Sequence, residues 1–147
     1  MNEAAALYQD AIKQMAEAAH GHGRLAAADG EAKLDNPLCG DRVRMQVVLD
    51  AGRIAAVAHE TRGCLLCRAA AAAIGLRAAG SDASGIDAAA AALESLLQQG
   101  APAPADWPQL AMFAPARAYP SRHRCVLLPF RALLAALDSA RAAGDGR

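Results

Sequence analysis

The segment "RVRMQVVLDAGRIAAVAHETRGC", residues 42–64, decides the fold class. In its first half Val43, Met45, Val47 and Leu49 fall on one face, with Arg42, Arg44 and Gln46 opposite. That alternation is the signature of a half-buried strand. Residues 50–53, "DAGR", read as a turn, and 53–61 as a returning strand with β-branched Ile54 and Val57. The two halves form an antiparallel hairpin. A lone hairpin is marginal in water, so helices from elsewhere in the chain must cover one face.

The flanking sequence supplies those helices. Residues 3–19 carry Ala6, Leu7, Ile12 and Met15 at helical spacing. "HGHGRLAAADGEAKLDNP", residues 20–37, breaks that pattern and reads as loop, with a short extended piece near Arg24–Ala27. His20 and His22 lie in this Gly-rich loop and are read as solvated side chains rather than metal ligands. From Leu65, "LLCRAAAAAIGLRAAG" is helical and stops at Gly80. A further helix spans about 84–99, with Ser84 or Asp82 as N-cap and Gly100 as terminator. "GAPAPADWPQL", residues 100–110, is Pro/Ala-rich and reads as a surface insertion in which Asp106 caps a short helix over 108–113. The last helix opens near Cys125, with Leu127, Phe130, Leu134 and Leu137 as its apolar stripe. Pro129 fits its first turn, where N–H groups lack intrahelical partners. The expected fold is α+β: one domain over 1–147, with a small, mainly antiparallel sheet against helices and an insertion at about 81–115.

A chain of 147 residues can bury a core without disulfides. Its formal charges balance at zero, which gives no global pull toward nucleic acid or an anionic membrane surface. No stretch approaches the roughly 18 apolar residues of a membrane span. "MNEAAALYQD" carries acidic residues where a secretory signal carries basic ones. The expectation is a cytoplasmic protein whose four cysteines stay reduced and serve as ligands or reactive groups.

Three cysteines occupy comparable positions. In "LDNPLCGDRV", Asn36-Pro37 and Gly40 place Cys39 on a tight loop beside Asp41. Cys64 sits where a strand gives way to a helix, and Cys125 where a loop does. Helix N-termini favour thiolate over thiol, and soft metals require thiolate. Cys39, Asp41, Cys64 and Cys125 would make four anionic ligands, leaving a site of net charge about −2 around Zn²⁺. In "SRHRC", Arg122 and Arg124 flank this site or form a solvated basic loop. Cys67 completes a CxxC with Cys64 and is read as a core residue or auxiliary ligand. His59 and His123 are second-tier candidates.

These motifs resemble the U-type iron–sulfur cluster assembly scaffolds: IscU, SufU and the N-terminal domain of NifU. "LYQDAI" matches the first helix, "NPLCGDRV" the first cysteine motif, "TRGC" the second and "RHRC" the third. The 61 positions from Cys64 to Cys125 resemble the SufU-like branch, which is longer here than IscU. Arg124 stands where IscU-like members have His, and "AYPSRH" replaces their chaperone-recognition segment. "CLLC" also departs from the family, which usually has small or polar residues after the second cysteine.

The resemblance implies a SufE/NifU-like fold with a metal site of Cys39, Asp41, Cys64 and Cys125 at one exposed end. It implies a scaffold or sulfur acceptor, not an enzyme, holding Zn²⁺ or a [2Fe–2S] cluster. Its partners would be a cysteine desulfurase and downstream carriers or apo-proteins, with no nucleic acid or membrane. Cys39 is the expected sulfur acceptor because its loop can swing out. Asp41, a harder ligand than thiolate, would keep the site labile. Two rivals remain: a zinc-stabilised interaction module without sulfur chemistry, and a thiol oxidoreductase using Cys64 and Cys67.

Overall fold

The computed structural model describes residues 3–38 and 40–145, with side chains over 10–38 and 40–143. The expected contributions of Ala6 and Leu7, and the expected loop position of Cys39, lie outside the described residues. Helix α1 spans Glu3–Ala18, strands β1 Gly30–Asn36, β2 Asp41–Asp50 and β3 Arg53–Arg62, and helices α2 Leu65–Arg77, α3 Ala83–Gln99 and α4 His123–Asp145. Two 3-10 segments, Pro108–Ala118 and Pro120–Arg122, lead into α4. The strands form one antiparallel sheet in the order β1-β2-β3, which makes the fold α+β as expected.

The hairpin forms as its alternation dictates. Val43, Met45 and Val47 are fully buried on the inner face, each worth roughly 1.5–3 kcal/mol of transfer free energy. Leu49 departs from the pattern because a register shift falls between Val48 and Leu49. Helix α4 lies over β1 and β2, and α2 packs between α1, α4 and β3. The outer face stays in water and carries an ion-pair ladder, with Arg44 reaching Glu31 at 3.3 Å and Glu60 at 3.2 Å.

Helix α2 is buried nearly all round. Ala69 through Ala73 and Ile74 are all inaccessible to solvent. A helix enclosed on every side must be apolar on every side, and alanine lets three neighbours approach closely. Helix α3 has the expected ends. Asp82 accepts the Gly85 N–H at 2.8 Å, and Gly100 closes the helix at φ +73°.

Four local expectations are corrected. The extended piece is not at 24–27 but at Gly30–Asn36, in the polar sequence "GEAKLDN". Strand β1 exists because β2 pairs with it and because Gly30 packs flush on α4, where a Cβ would lie 2.1 Å from the Ala136 carbonyl oxygen. Pairing and packing override its weak intrinsic preference. Residues 100–110 are not simply a surface insertion: Trp107 and Leu110 join the core, as do Phe113 and Ala116 just beyond, and Trp107 packs on Phe130 at 5.4 Å between ring centroids. The 3-10 segment is not capped by the Asp106 side chain; the Asp106 carbonyl instead accepts from Arg77. Helix α4 starts at His123, so Pro129 falls beyond its first turn, inside the helix.

The loop of twin histidines is tied to the sheet. His59 on β3 is buried; its Nε2–H donates to the His20 carbonyl at 2.8 Å, and the Thr61 hydroxyl donates to Nδ1 at 3.0 Å. The backbone adds His59 N–H to Gly21 O at 2.9 Å and Gly23 N–H to His59 O at 2.9 Å. Burial lowers the His59 pKa below its ordinary 6.5; the His20 carbonyl bond opposes this, and the nearby His22 adds to it. The folded state therefore keeps a neutral His59 where the unfolded chain would take up a proton. Stability from this group is complete above about pH 6.5 and is lost as pH falls toward the depressed folded value. Metal-free protein should show a falling Tm between pH 7.5 and 5.5. His59→Gln should lower Tm at pH 7.5 and flatten that pH dependence.

Candidate metal centre

Asp41, Cys64 and Cys125 come from three elements, the start of β2, the residue preceding α2 and the first turn of α4. One ligand atom from each lies within 4.8 Å of the other two, and this is the metal-competent group among the described residues. Asp41 and Cys125 are buried, and Cys64 is half-buried. Cys39 lies outside the described residues. The residues on either side of it are held: the Leu38 N–H donates to Asn36 Oδ1 at 3.2 Å, the Gly40 N–H donates to Asn36 O at 2.8 Å, and Gly40 sits at φ +75°.

The Asp41 carboxylate organises the group. Oδ1 accepts the Cys64 backbone N–H at 2.8 Å, and Oδ2 lies 3.7 Å from Cys64 Sγ. This brings a charge to the start of α2, where free N–H groups favour an anion and where the first turn has no acidic residue. Gly63 makes the approach possible: a Cβ there would lie 2.3 Å from Asp41 Oδ1.

The donor set fits a soft divalent metal. A tetrahedral centre with metal–sulfur bonds near 2.3 Å and metal–oxygen bonds near 2.1 Å has S···O edges of roughly 3.5 Å. The 3.7 Å between Cys64 Sγ and Asp41 Oδ2 is close to that edge without any rearrangement.

The histidines do not join. His59 uses both ring nitrogens as described above. His123 Nε2–H donates to the Ala116 carbonyl at 3.1 Å, pinning the 3-10 segment to α4. His22 packs edge-on against His59 with centroids 6.1 Å apart. Cys67 lies one turn into α2 and is fully buried. Arg122 and Arg124 are exposed and, with Asn36, Leu38, Pro120 and Cys125, line a groove of about 580 Å³ against the centre. Neither the Asp41–Gly63 approach nor the groove was anticipated from residue types; the glycine directly before Cys64 was the available signal for the first.

The model of the family described as "NifU-like N terminal domain" matches residues 7–122. The chain belongs to that family. This NifU-like domain is 29% identical to the N-terminal part of a nitrogen-fixing NifU-like protein from Brucella abortus, over 96% of each chain, with a TM-score of 0.85. It shares its fold with a putative iron–sulfur cluster assembly scaffold protein for the SUF system from Fervidobacterium islandicum, at 23% identity over 90% of this chain and 97% of that one, with a TM-score of 0.81. No curated protein matches the NifU-like domain. Among the described residues no helix is long and apolar enough to cross a membrane.

The close packing of Gly63 on Asp41 generates a prediction. Gly63→Ala must displace the carboxylate, and loss of a group that orients a ligand typically weakens metal binding 10–100-fold. Competition with a chromogenic chelator should show at least about a tenfold weaker zinc affinity. The far-UV CD spectrum should stay unchanged.

Proposed function

We propose that this NifU-like domain is a scaffold that accepts sulfur from a cysteine desulfurase and carries an iron–sulfur cluster or Zn²⁺ on Cys39, Asp41, Cys64 and Cys125. The observation that carries the reading is the convergence of three potential ligand atoms, one oxygen and two sulfurs, within 4.8 Å of one another at the element junctions of a NifU-like domain. A bound metal would supply charge to hold the thiolates together. The chain's own contribution is to keep those thiolates at one end, shield Asp41 and Cys125 from water, and leave Cys64 half open. The domain turns over no substrate of its own; cargo passes on to a carrier or apo-protein in the reducing cytoplasm.

The surface around the centre suits a protein partner. Leu38, 80% exposed, lines the groove, and Tyr119, 60% exposed, directly precedes its Pro120 in the chain. Large apolar side chains held in water beside a reactive site mark a docking surface. Arg122 and Arg124 add positive charge at its rim. A partner persulfide approaching there would reach the loop 36–41 and the start of α4 together.

Anaerobic purification followed by metal analysis and an absorption spectrum tests the assignment of ligands. Single Cys39→Ser, Cys64→Ser and Cys125→Ser variants should each lose most of the bound zinc or iron. Full retention in any one removes that residue from the site. If apo-protein unfolds while desulfurase turnover is indifferent to the domain, the centre is a structural zinc site instead.

Docking is tested separately. Steering by surface charge acts on association rate and is screened by salt. Reversing both charges, Arg122→Glu with Arg124→Glu, should slow association with an acidic desulfurase surface and flatten its salt dependence, with metal content intact. An unchanged on-rate would leave these arginines out of the docking surface.

A further inference from the structure

Cys67 is not needed for the four-ligand centre, yet its placement is specific. Cys64 is the N-cap of α2, with extended backbone at φ −68° and ψ 166°, and its side chain makes no cap hydrogen bond. Cys67 is the third residue of the helix, in its first turn. An N-cap side chain normally reaches back over the second and third helical residues. Positions three apart at a helix start have Cβ atoms about 5–6 Å apart. A disulfide needs about 3.5–4.5 Å, a gap that rotation of a residue outside the helical ladder can close.

Burial divides the labour between the two thiols. Cys64 is half-buried and within reach of an incoming sulfur donor. Cys67 is fully enclosed, packed in the core with Leu66, Ala70 and Ile74. No external persulfide can reach Cys67, so its accessible electrophile is a sulfur already on Cys64.

We infer that Cys67 is a resolving thiol that releases sulfide from a persulfide on Cys64, a step that rests on the sulfur-acceptor reading above. The sulfur arrives on Cys64 directly or by exchange from Cys39. The Cys67 thiolate attacks Cys64 Sγ, forming the Cys64–Cys67 bond. The persulfide S–S bond breaks, and the outer sulfur leaves with the bonding pair as HS⁻. The two thiols are oxidised to a disulfide and the sulfane sulfur is reduced to sulfide, so one round needs no external reductant. A second round requires a dithiol reductant to reopen the disulfide. The domain would thus convert delivered sulfur into the oxidation state that a cluster contains, beside the ligands that would collect it.

The test uses metal-free, reduced full-length chain and a desulfurase persulfide generated with L-cysteine and then freed from it. The two are mixed anaerobically without added thiol. Released sulfide is measured, and cysteine-containing peptides are trapped by alkylation and weighed. The wild-type chain should release sulfide and yield a peptide joined through Cys64 and Cys67, two hydrogens lighter than the dithiol. Cys67→Ala and Cys67→Ser should release about tenfold less sulfide and hold a Cys64 peptide one sulfur heavier. Their CD spectra and zinc content report whether they fold. The wild-type arm stands even if neither variant does. A wild-type Cys64 peptide that keeps its added sulfur, with no disulfide and no sulfide, overturns the resolving role while leaving sulfur acceptance intact. Absence of added sulfur, disulfide and sulfide from every protein overturns both readings.

Discussion

A sheet with one apolar face persists only under cover, and the way α4 covers β1 and β2 sets the rest of this domain. Val43, Met45 and Val47 need a helix across them, and α4 lies there, with Ala136 and Ala140 closing on Gly30 of β1. Once that contact forms, the ends of the elements are no longer independent. The start of β2, the approach to α2 and the first turn of α4 meet at one end, and Asp41, Cys64 and Cys125 are brought there with them. The hydrophobic contact acts over the whole interface, yet its chemical result is a cluster of donors a few ångströms wide.

Within that cluster the Asp41 carboxylate has two tasks. It stands in for the missing acidic residue of the first turn of α2, and it faces Cys64 Sγ. A buried carboxylate without partners would be costly, so the Cys64 N–H keeps it tolerable when no metal is bound. The same bond fixes the direction in which Asp41 points. A harder oxygen donor beside two sulfur donors would hold a soft metal less tightly than a third sulfur would.

Much of this was legible in the sequence because the residues involved obey strong local rules. The alternation of 42–49 gave the hairpin, Asp82 and Gly100 gave the ends of α3, and the placement of Asp41, Cys64 and Cys125 at the ends of elements pointed to the cluster they form, while Cys39 lies outside the described residues. Strand β1 was not legible, because Lys33 and Asp35 carry little strand preference and act only through pairing with β2. Trp107, Leu110 and Phe113 were masked by surrounding prolines and alanines, whose composition resembles a surface loop although the segment packs inward. The loop of His20 and His22 read as solvated, yet the His20 backbone carbonyl is tied to His59. Contacts made by backbone atoms, and close approaches such as Gly63 on Asp41, leave almost no trace in residue type.

The alanine surface of α2 has a consequence for how the domain responds to a disturbance at Cys64. A methyl group has no rotamer to change, so the five alanines from 69 to 73 cannot absorb such a disturbance by rearranging their side chains. The helix is a stiff post set into a close-packed core, and a displacement at its tip would be passed along the post to the elements around it rather than dissipated within it.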